Sequence, residues 1–422
     1  MKIPFGKREL TIIAALLFFS FLVRFLFFSN QGYKQIDTQD FMSWFQTAAD
    51  YGPRVFYTKT WCDYPPFNIY FFWVFGLLAK NLSLFGSSFF TYVMKLPPNL
   101  FDMATAFLIF AFVRKRLTFK MALIATTLYA FNPAVVFNAA VWGQFDAIYT
   151  FFLILSLYLA LNSKPKLAVV AFMLGILTKP QSIALAPLFI FLIYRKYDWK
   201  GLFISVLVAV VTVFAVILPF QWSNPVTFLS NIYFGAYQGY GYTTVNAFNV
   251  WAFGGMWQPE TQASFLIGWI MFAALAAFVL YFVNKRFRAS NEMIVLFAAF
   301  VLFFGFFMLP TRIHERYLFP AMAVLALMIP FLKKTRPLYA VLTLTCFVNQ
   351  AYVLSFLNAG QFIQAGDPVV LTVSLINSIA FVYVLMLMVK ELWGKKWLSP
   401  NHIQTQMKTP AEVKGEDNTE CS

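Results

Sequence analysis

Histidine, cysteine and acidic side chains are scarce in this sequence of 422 residues: two histidines, three cysteines and 17 aspartates and glutamates. Outside the carboxy-terminal stretch that holds His402, the one histidine is His314, which in practice excludes a two-histidine metal site. There is no His-Glu-Xaa-Xaa-His helix, no Gly-Xaa-Ser-Xaa-Gly elbow and no Walker-type phosphate loop. Cys62, Cys346 and Cys421 lack metal-ligand spacing, Cys346 falls in an apolar run and Cys421 in the tail, so a disulfide or metal framework is not expected. Charge of both signs is sparse at 12% of residues, well below the roughly 25% of soluble proteins. That rules out an ordinary soluble protein. No soluble domain, fixed-period repeat or low-complexity tract interrupts the chain. What the chain has in abundance is apolar surface, 60% hydrophobic and 20% aromatic, and it reads as an all-α polytopic membrane protein.

Apolar segments lie near 10–28, 95–113, 121–139, 147–162, 167–178, 183–194, 201–220, 263–283, 291–309, 316–332, 337–357 and 369–390, which gives about twelve crossings. The first has no small-residue cleavage site before Ser29-Asn30-Gln31 and reads as a retained helix. With a cytoplasmic amino terminus, the clusters Lys7-Arg8, Arg114-Lys115-Arg116, Lys164 with Lys166, Arg195-Lys196, Lys285-Arg286, Lys333-Lys334 and Lys395-Lys396 all fall inside, as the positive-inside bias requires. Topology thus accounts for the net charge of +15, and nothing resembles a nucleic-acid-binding stripe. The parity holds if Phe67–Leu84 is re-entrant or interfacial, which makes residues 29–90 one large external loop with partly embedded helices. The segments 167–178 and 183–194 are too short to span and suggest a helical hairpin with Thr178-Lys179-Pro180-Gln181 at a tip that does not reach bulk water. Residues 1–394 form the transmembrane domain, and 395–422 a polar cytoplasmic tail.

This topology puts the polar motifs outside. Asp37 and Asp40 follow the first span, and either can serve as a base for a hydroxyl nucleophile. Trp142-Gly143-Gln144-Phe145-Asp146 offers an aromatic, a turn, an amide and an acid, the types that grip sugar hydroxyls; Asp146 alone also fits a helix amino terminus. Arg312, His314, Glu315 and Arg316 sit between two very apolar segments, where uncompensated charge costs about 2–3 kcal/mol or more. Two arginines suit a phosphate, with Lys179 as an opposing point charge; interfacial snorkelling with a Glu315–Arg316 pair is the alternative. His314 fits a leaving-group contact or an internally satisfied hydrogen bond. The loop 221–262, with Tyr242, Asn246, Asn249 and Trp251, suits a mobile cover or an interfacial belt. A base with cationic stabilisation suffices to move a sugar off a phosphate, whereas a glycosidase needs a facing acid and base or nucleophile. A divalent metal on Asp37, Asp40 or Asp146 is possible but not favoured.

Taken in order, Asp37 to Trp44, then Asp63-Tyr64-Pro65-Pro66, Gln144, Lys179 before Gln181, and His314-Glu315-Arg316 resemble the GT-C superfamily of membrane glycosyltransferases that use polyprenyl-phosphate sugars. The order is similar to that in the dolichyl-phosphate-glucose-dependent glucosyltransferases of the endoplasmic reticulum, while Trp142 to Asp146 is closer to bacterial and archaeal relatives, many regarded as mannosyltransferases. The resemblance implies inverting transfer of a hexose on the external or luminal face to a lipid-linked or cell-envelope glycan acceptor, with Asp37 as base. With the residue chemistry above, substrate contacts are expected at Asp63, Tyr64, Trp142, Gln144, Asp146, Lys179, Gln181, Asn246, Arg312, His314, Glu315 and Arg316, the resemblance leaving open which of Arg312 and Arg316 meets the phosphate. Relatives commonly carry an acid two places after the base; here Gln39 stands there and Asp40 follows. The rival expectations are a transporter or flippase of a lipid-linked sugar, against which the polar residues gather on one face, and a noncatalytic envelope subunit.

Overall fold

A computed structural model describes residues 5–287, 292–394 and 397–398. Among these residues there is no β-strand, and sixteen α-helices account for most of the chain. The first, α1 (Lys7–Phe25), leads into a turn and then α2 (Asp37–Lys59) and α3 (Pro66–Asn81), which pack on each other. Gly52, at φ +71, breaks α2 just before Pro53, and Pro65-Pro66 opens α3 where a missing backbone donor costs nothing. At Gly76 a side chain would collide with the Phe45 carbonyl. Glycine there allows α3 to lie directly against α2. With 16 residues, α3 is about 24 Å long, short of a bilayer core of about 30 Å.

The short α4 (Phe90–Met94) and α5 (Leu96–Arg114) follow, then α6 (Phe119–Ala130), capped by the Thr118 hydroxyl, and α7 (Pro133–Val136), capped by the Asn132 side chain. The last runs on as a π-helical turn over Phe137–Trp142. Next come α8 (Asp146–Leu161), α9 (Pro165–Ile176), a 3-10 turn (Pro180–Leu185), α10 (Ala186–Ile217) and α11 (Pro225–Gln238). The remaining helices are α12 (Gln262–Arg286), α13 (Glu292–Met308), α14 (Phe319–Met328), α15 (Thr335–Asn358) and α16 (Pro368–Trp393).

Five stretches are long and apolar enough to cross a membrane, 90–114, 180–217, 262–286, 335–358 and 368–393, and α6 with α7 and its π-turn, bent by 45°, makes a sixth if counted as one span. The other apolar segments fall short individually. α1 carries Lys7, Arg8, Glu9 and Arg24, the segments 183–194 and 201–220 fall on either side of a non-helical break at Asp198 (φ +54) within α10, and the segment 316–332 yields only the ten residues of α14. Helix length therefore supports five or six crossings where hydropathy alone suggests about twelve.

The helices that are apolar on every face belong in the centre. Every residue of α14, and every residue of α13 after Glu292, is buried; α5, α6, α8, α12, α15 and α16 surround this pair. The connection between α13 and α14, residues 309–318, is thereby held in the middle of the molecule. A second, largely aromatic cluster joins α2, α3, α4 and α8. Arg24, fully buried, pins α1 with an ion pair to Asp102 at 2.7 Å and bonds to Asn99 and the Ala130 carbonyl. Of the expected polar tail only Trp397 and Leu398 are described. Both are buried, and their amides donate to the Glu391 carboxylate; the rest of 395–422 lies outside the described residues.

Candidate active site

Asp37 is the first residue of α2, and its partners come from the end of the π-turn and the reversal that follows it. The Trp142 indole N–H and the Gln144 amide donate to the same oxygen, Oδ2, at 2.8 and 2.6 Å. Gly143, at φ +89, makes this possible by reversing the chain, so that the amides of Gly143 and Gln144 both return to the Asn138 carbonyl. Among the described residues nothing donates to Oδ1. Burial raises the Asp37 pKa, opposed in turn by Arg316, the Trp142 hydrogen bond, Lys179 and the Gln144 hydrogen bond. The carboxylate is thus held close to two cations with one oxygen free.

Those cations are ordered by Asp146, fully buried at the start of α8. Its carboxylate receives the Lys179 ammonium at 2.9 Å and faces the Arg316 guanidinium at 3.6 Å. The Asn138 amide adds a bond at 3.1 Å while also donating to Gln350. Arg316 further pairs with Glu315 at 2.6 Å. A helix-capping role alone does not describe Asp146, which joins four elements. Burial lowers the Lys179 pKa against the pull of Asp146. Burial also works against the Arg316 charge, but Glu315 and Asp146 outweigh it and keep its pKa well above the ordinary value.

In front of this layer lies a cavity of about 330 Å³. Its lining combines polar side chains, among them Asp63, Tyr64, Lys179, Gln181, His314 and Arg316, with apolar and aromatic ones, among them Ile183, Tyr233, Phe234, Trp269 and Phe306. Phe234 and Ile183 are 64% and 48% exposed, so the cavity lining reaches the protein surface at these two residues. Burial pushes the Asp63 carboxyl up to about 6, with Lys179 and Arg316 pulling the other way. His314 is held well below its ordinary value by burial and by the two cations. It is neutral, and its ring packs edge-on to Tyr240 and against Tyr317.

The expected site residues divide into three groups. Asp63, Tyr64, Lys179, Gln181, Arg312, His314 and Arg316 reach the cavity wall. Asp37, Trp142, Gln144, Asp146 and Glu315 stand immediately behind it, joined to the wall by the Tyr64 hydroxyl, which donates to Gln144 at 3.4 Å, and by the ion pairs of Lys179 and Arg316. Asp40 and Asn246 lie off the wall. Asp40 is half-buried one turn along α2, its pKa raised by burial and by Asp37. Asn246 scaffolds the loop, its Oδ1 accepting from Trp257 and its carbonyl from Asn349. Arg312 is on the wall, but its guanidinium already holds Glu260 at 2.5 Å and the Tyr237 carbonyl at 2.8 Å. It ties the 221–262 loop to the α13–α14 connection. The same two segments pair through the Val245 amide and the Ile313 carbonyl at 2.9 Å.

Sequence reasoning missed Tyr240, Tyr317, Glu260, Asn138 and Gln350. Glu260 is the one charged residue in 221–262, and Asn138 and Gln350 interrupt apolar runs, where a polar side chain needs a partner. Those signals were available; the aromatic wall, in a chain with 20% aromatics, carried none. Among the described residues no three His, Cys, Asp or Glu side chains converge as a metal site.

The family model described as glycosyltransferase family 87 matches residues 61–310, well over half of the chain. No curated protein matches it.

Proposed function

Because the chain belongs to glycosyltransferase family 87 and has several membrane-length apolar helices, we propose that it transfers a hexose, mannose or glucose, from a polyprenyl-phosphate carrier to a lipid-linked or cell-envelope glycan acceptor. The observation that carries this reading is a cavity lined both by cations and by aromatic and apolar side chains. Ile183 and Phe234, exposed at the surface, suit an isoprenoid chain, and Lys179 and Arg316 suit a phosphate. In this reading the bundle is of GT-C type with about twelve crossings, short helices sharing the bilayer with long ones. The amino and carboxy termini are cytoplasmic and the site faces outside or the lumen.

The chemistry follows from the charges. Oδ1 of Asp37 takes the proton of the acceptor hydroxyl, whose oxygen attacks the anomeric carbon from the face opposite the phosphate. The bond from that carbon to the phosphate oxygen breaks, and its electron pair leaves with the carrier. A phosphodiester with one negative charge becomes a monoester with two, and Lys179 and Arg316 stabilise the added charge. The configuration inverts, and the proton on Asp37 passes to water. Neutral His314 serves as a hydrogen-bonding contact to the phosphate or the sugar.

The test is transfer from labelled polyprenyl-phosphate-mannose and -glucose to extracted membrane lipids by the protein in liposomes. Transfer of label is expected from one donor, and Asp37→Asn is expected to lower kcat by about 10²–10⁴ with donor affinity retained. No transfer from either donor, or full activity in Asp37→Asn, overturns the reading. Carrier movement across the bilayer without acceptor favours a flippase.

A further inference from the structure

Lys95, between α4 and α5, is fully buried, yet no carboxylate pairs with it among the described residues. Its ammonium donates instead to three backbone carbonyls, Phe27 at 3.2 Å, Asn30 at 2.5 Å and Val141 at 3.0 Å. Two of these lie in the turn that leads from α1 to Asp37, and the third in the π-turn that ends at Trp142, one of Asp37's two hydrogen-bond donors, with Gln144, the other, two residues on. One side chain thus spans the two strips of backbone that meet at the carboxylate. Asn99, one helical turn further along α5, reinforces the grip by donating to the Ala139 carbonyl at 3.0 Å. Two glycines make room. A side chain at Gly143 would press on the tips of Met94 and Lys95, and one at Gly32 would strike the Trp142 carbonyl.

We infer that Lys95 is a positioning residue for the transfer reaction: by clamping the turn at 27–30 to the π-turn at 137–142 it keeps Trp142 and Gln144 on one oxygen of Asp37 and leaves the other free for the acceptor hydroxyl. A buried ammonium is a costly way to join two helices, and an apolar side chain would fill the space without that cost. Its three N–H groups meet three carbonyls, one of which, that of Phe27, also accepts from the Asn30 amide and side chain. The clamp touches neither the cavity wall nor the reacting atoms, so its loss acts through Asp37. Without the two donors the Asp37 carboxylate loses stabilisation relative to its protonated form, and the acid limb of the pH–rate profile moves to higher pH. The other groups facing Asp37 are Tyr33, Asp40, Asp63, Tyr64, Lys179, Tyr240, Glu315 and Arg316. None of them bonds to Lys95.

The inference rests on the transferase reading, and Lys95→Met in the full-length protein in liposomes tests it with polyprenyl-phosphate-mannose and -glucose as donors. The expected result is a fall in kcat of roughly tenfold to a hundredfold, a donor KM within about twofold, and an acid limb raised by about half a pH unit or more. A normal kcat, or a lowered kcat with the acid limb unmoved, overturns it. Hydrogen exchange needs no substrate: amides of 31–38 and 139–144 are expected to exchange faster in Lys95→Met, and unchanged protection there overturns the clamp even if the unaltered protein transfers no sugar. If Lys95→Met does not fold, Lys95→Gln, which keeps two N–H donors for the three carbonyls without the charge, is the second variant; the same changes in reduced size are expected, and unchanged kcat with unchanged exchange overturns the clamp.

Discussion

At the scale of single residues, the five carboxylates around the cavity are sorted by what faces them. Asp146, Glu315 and Glu260 are each committed to a lysine or arginine. Asp37 has hydrogen bonds from neutral donors, and Asp63, on the wall, is pushed up to about 6 by burial. Above that pH its negative charge stands beside Lys179 and Arg316 and competes with an incoming phosphate. The proposed donor is a phosphodiester whose own charge does not change in this range. Donor binding measured on protein in lipid is therefore expected to tighten severalfold as pH falls from about 7.5 to about 5, and Asp63→Asn is expected to bind tightly at both ends. Equal pH dependence in the two proteins rules this out.

At the scale of elements, close approaches through glycine decide what the fold tolerates. In Gly76→Ala the new methyl meets the Phe45 backbone carbonyl, which cannot move without α2, whereas in Gly305→Ala it meets the end of the Leu275 side chain. Overpacking against backbone costs about 1–3 kcal/mol and against a free rotamer less. Thermal unfolding in detergent is expected to show the larger loss for Gly76→Ala; equal losses contradict this account of the α2–α3 contact. Gly32 belongs to the first class by its clash with the Trp142 backbone and adds a positive φ of 59°.

For the whole molecule, the buried Arg24–Asp102 pair fastens α1 to the bundle with Tyr129 and Asn99 as further partners. Arg24→Met strands a buried carboxylate and is expected to cost about 3–5 kcal/mol, most of it recovered in Arg24→Met with Asp102→Leu. Urea unfolding in detergent measures both; no recovery in the double variant excludes the pair as the cause. Sidedness has its own test. Cys62 and Cys346 are buried, so with Cys421 replaced by serine, single cysteines at the exposed positions Gln39 and Lys166 report topology. The proposed orientation expects an impermeant maleimide added outside to label Gln39→Cys but not Lys166→Cys.

The sequence by itself determined that the chain is helical and membrane-embedded, because that follows from a total of apolar residues against charged ones. It also picked out the charged side chains of the cavity wall and its backing, since Asp63, Lys179, Arg316, Asp37 and Asp146 are polar exceptions in an apolar text. Only the tertiary structure decided how those exceptions pair. Hydropathy separates 183–194 from 201–220 around the break at Asp198, but it is blind to a ten-residue helix stabilised by complete burial, as in α14, so the crossings could not be counted from it. Arg312 and Arg316 look alike in the sequence four residues apart. Their difference arises because the 221–262 loop brings Glu260 to the first, while α8 and the Lys179 turn bring Asp146 to the second, and pairings across such separations are fixed by packing that no local pattern records.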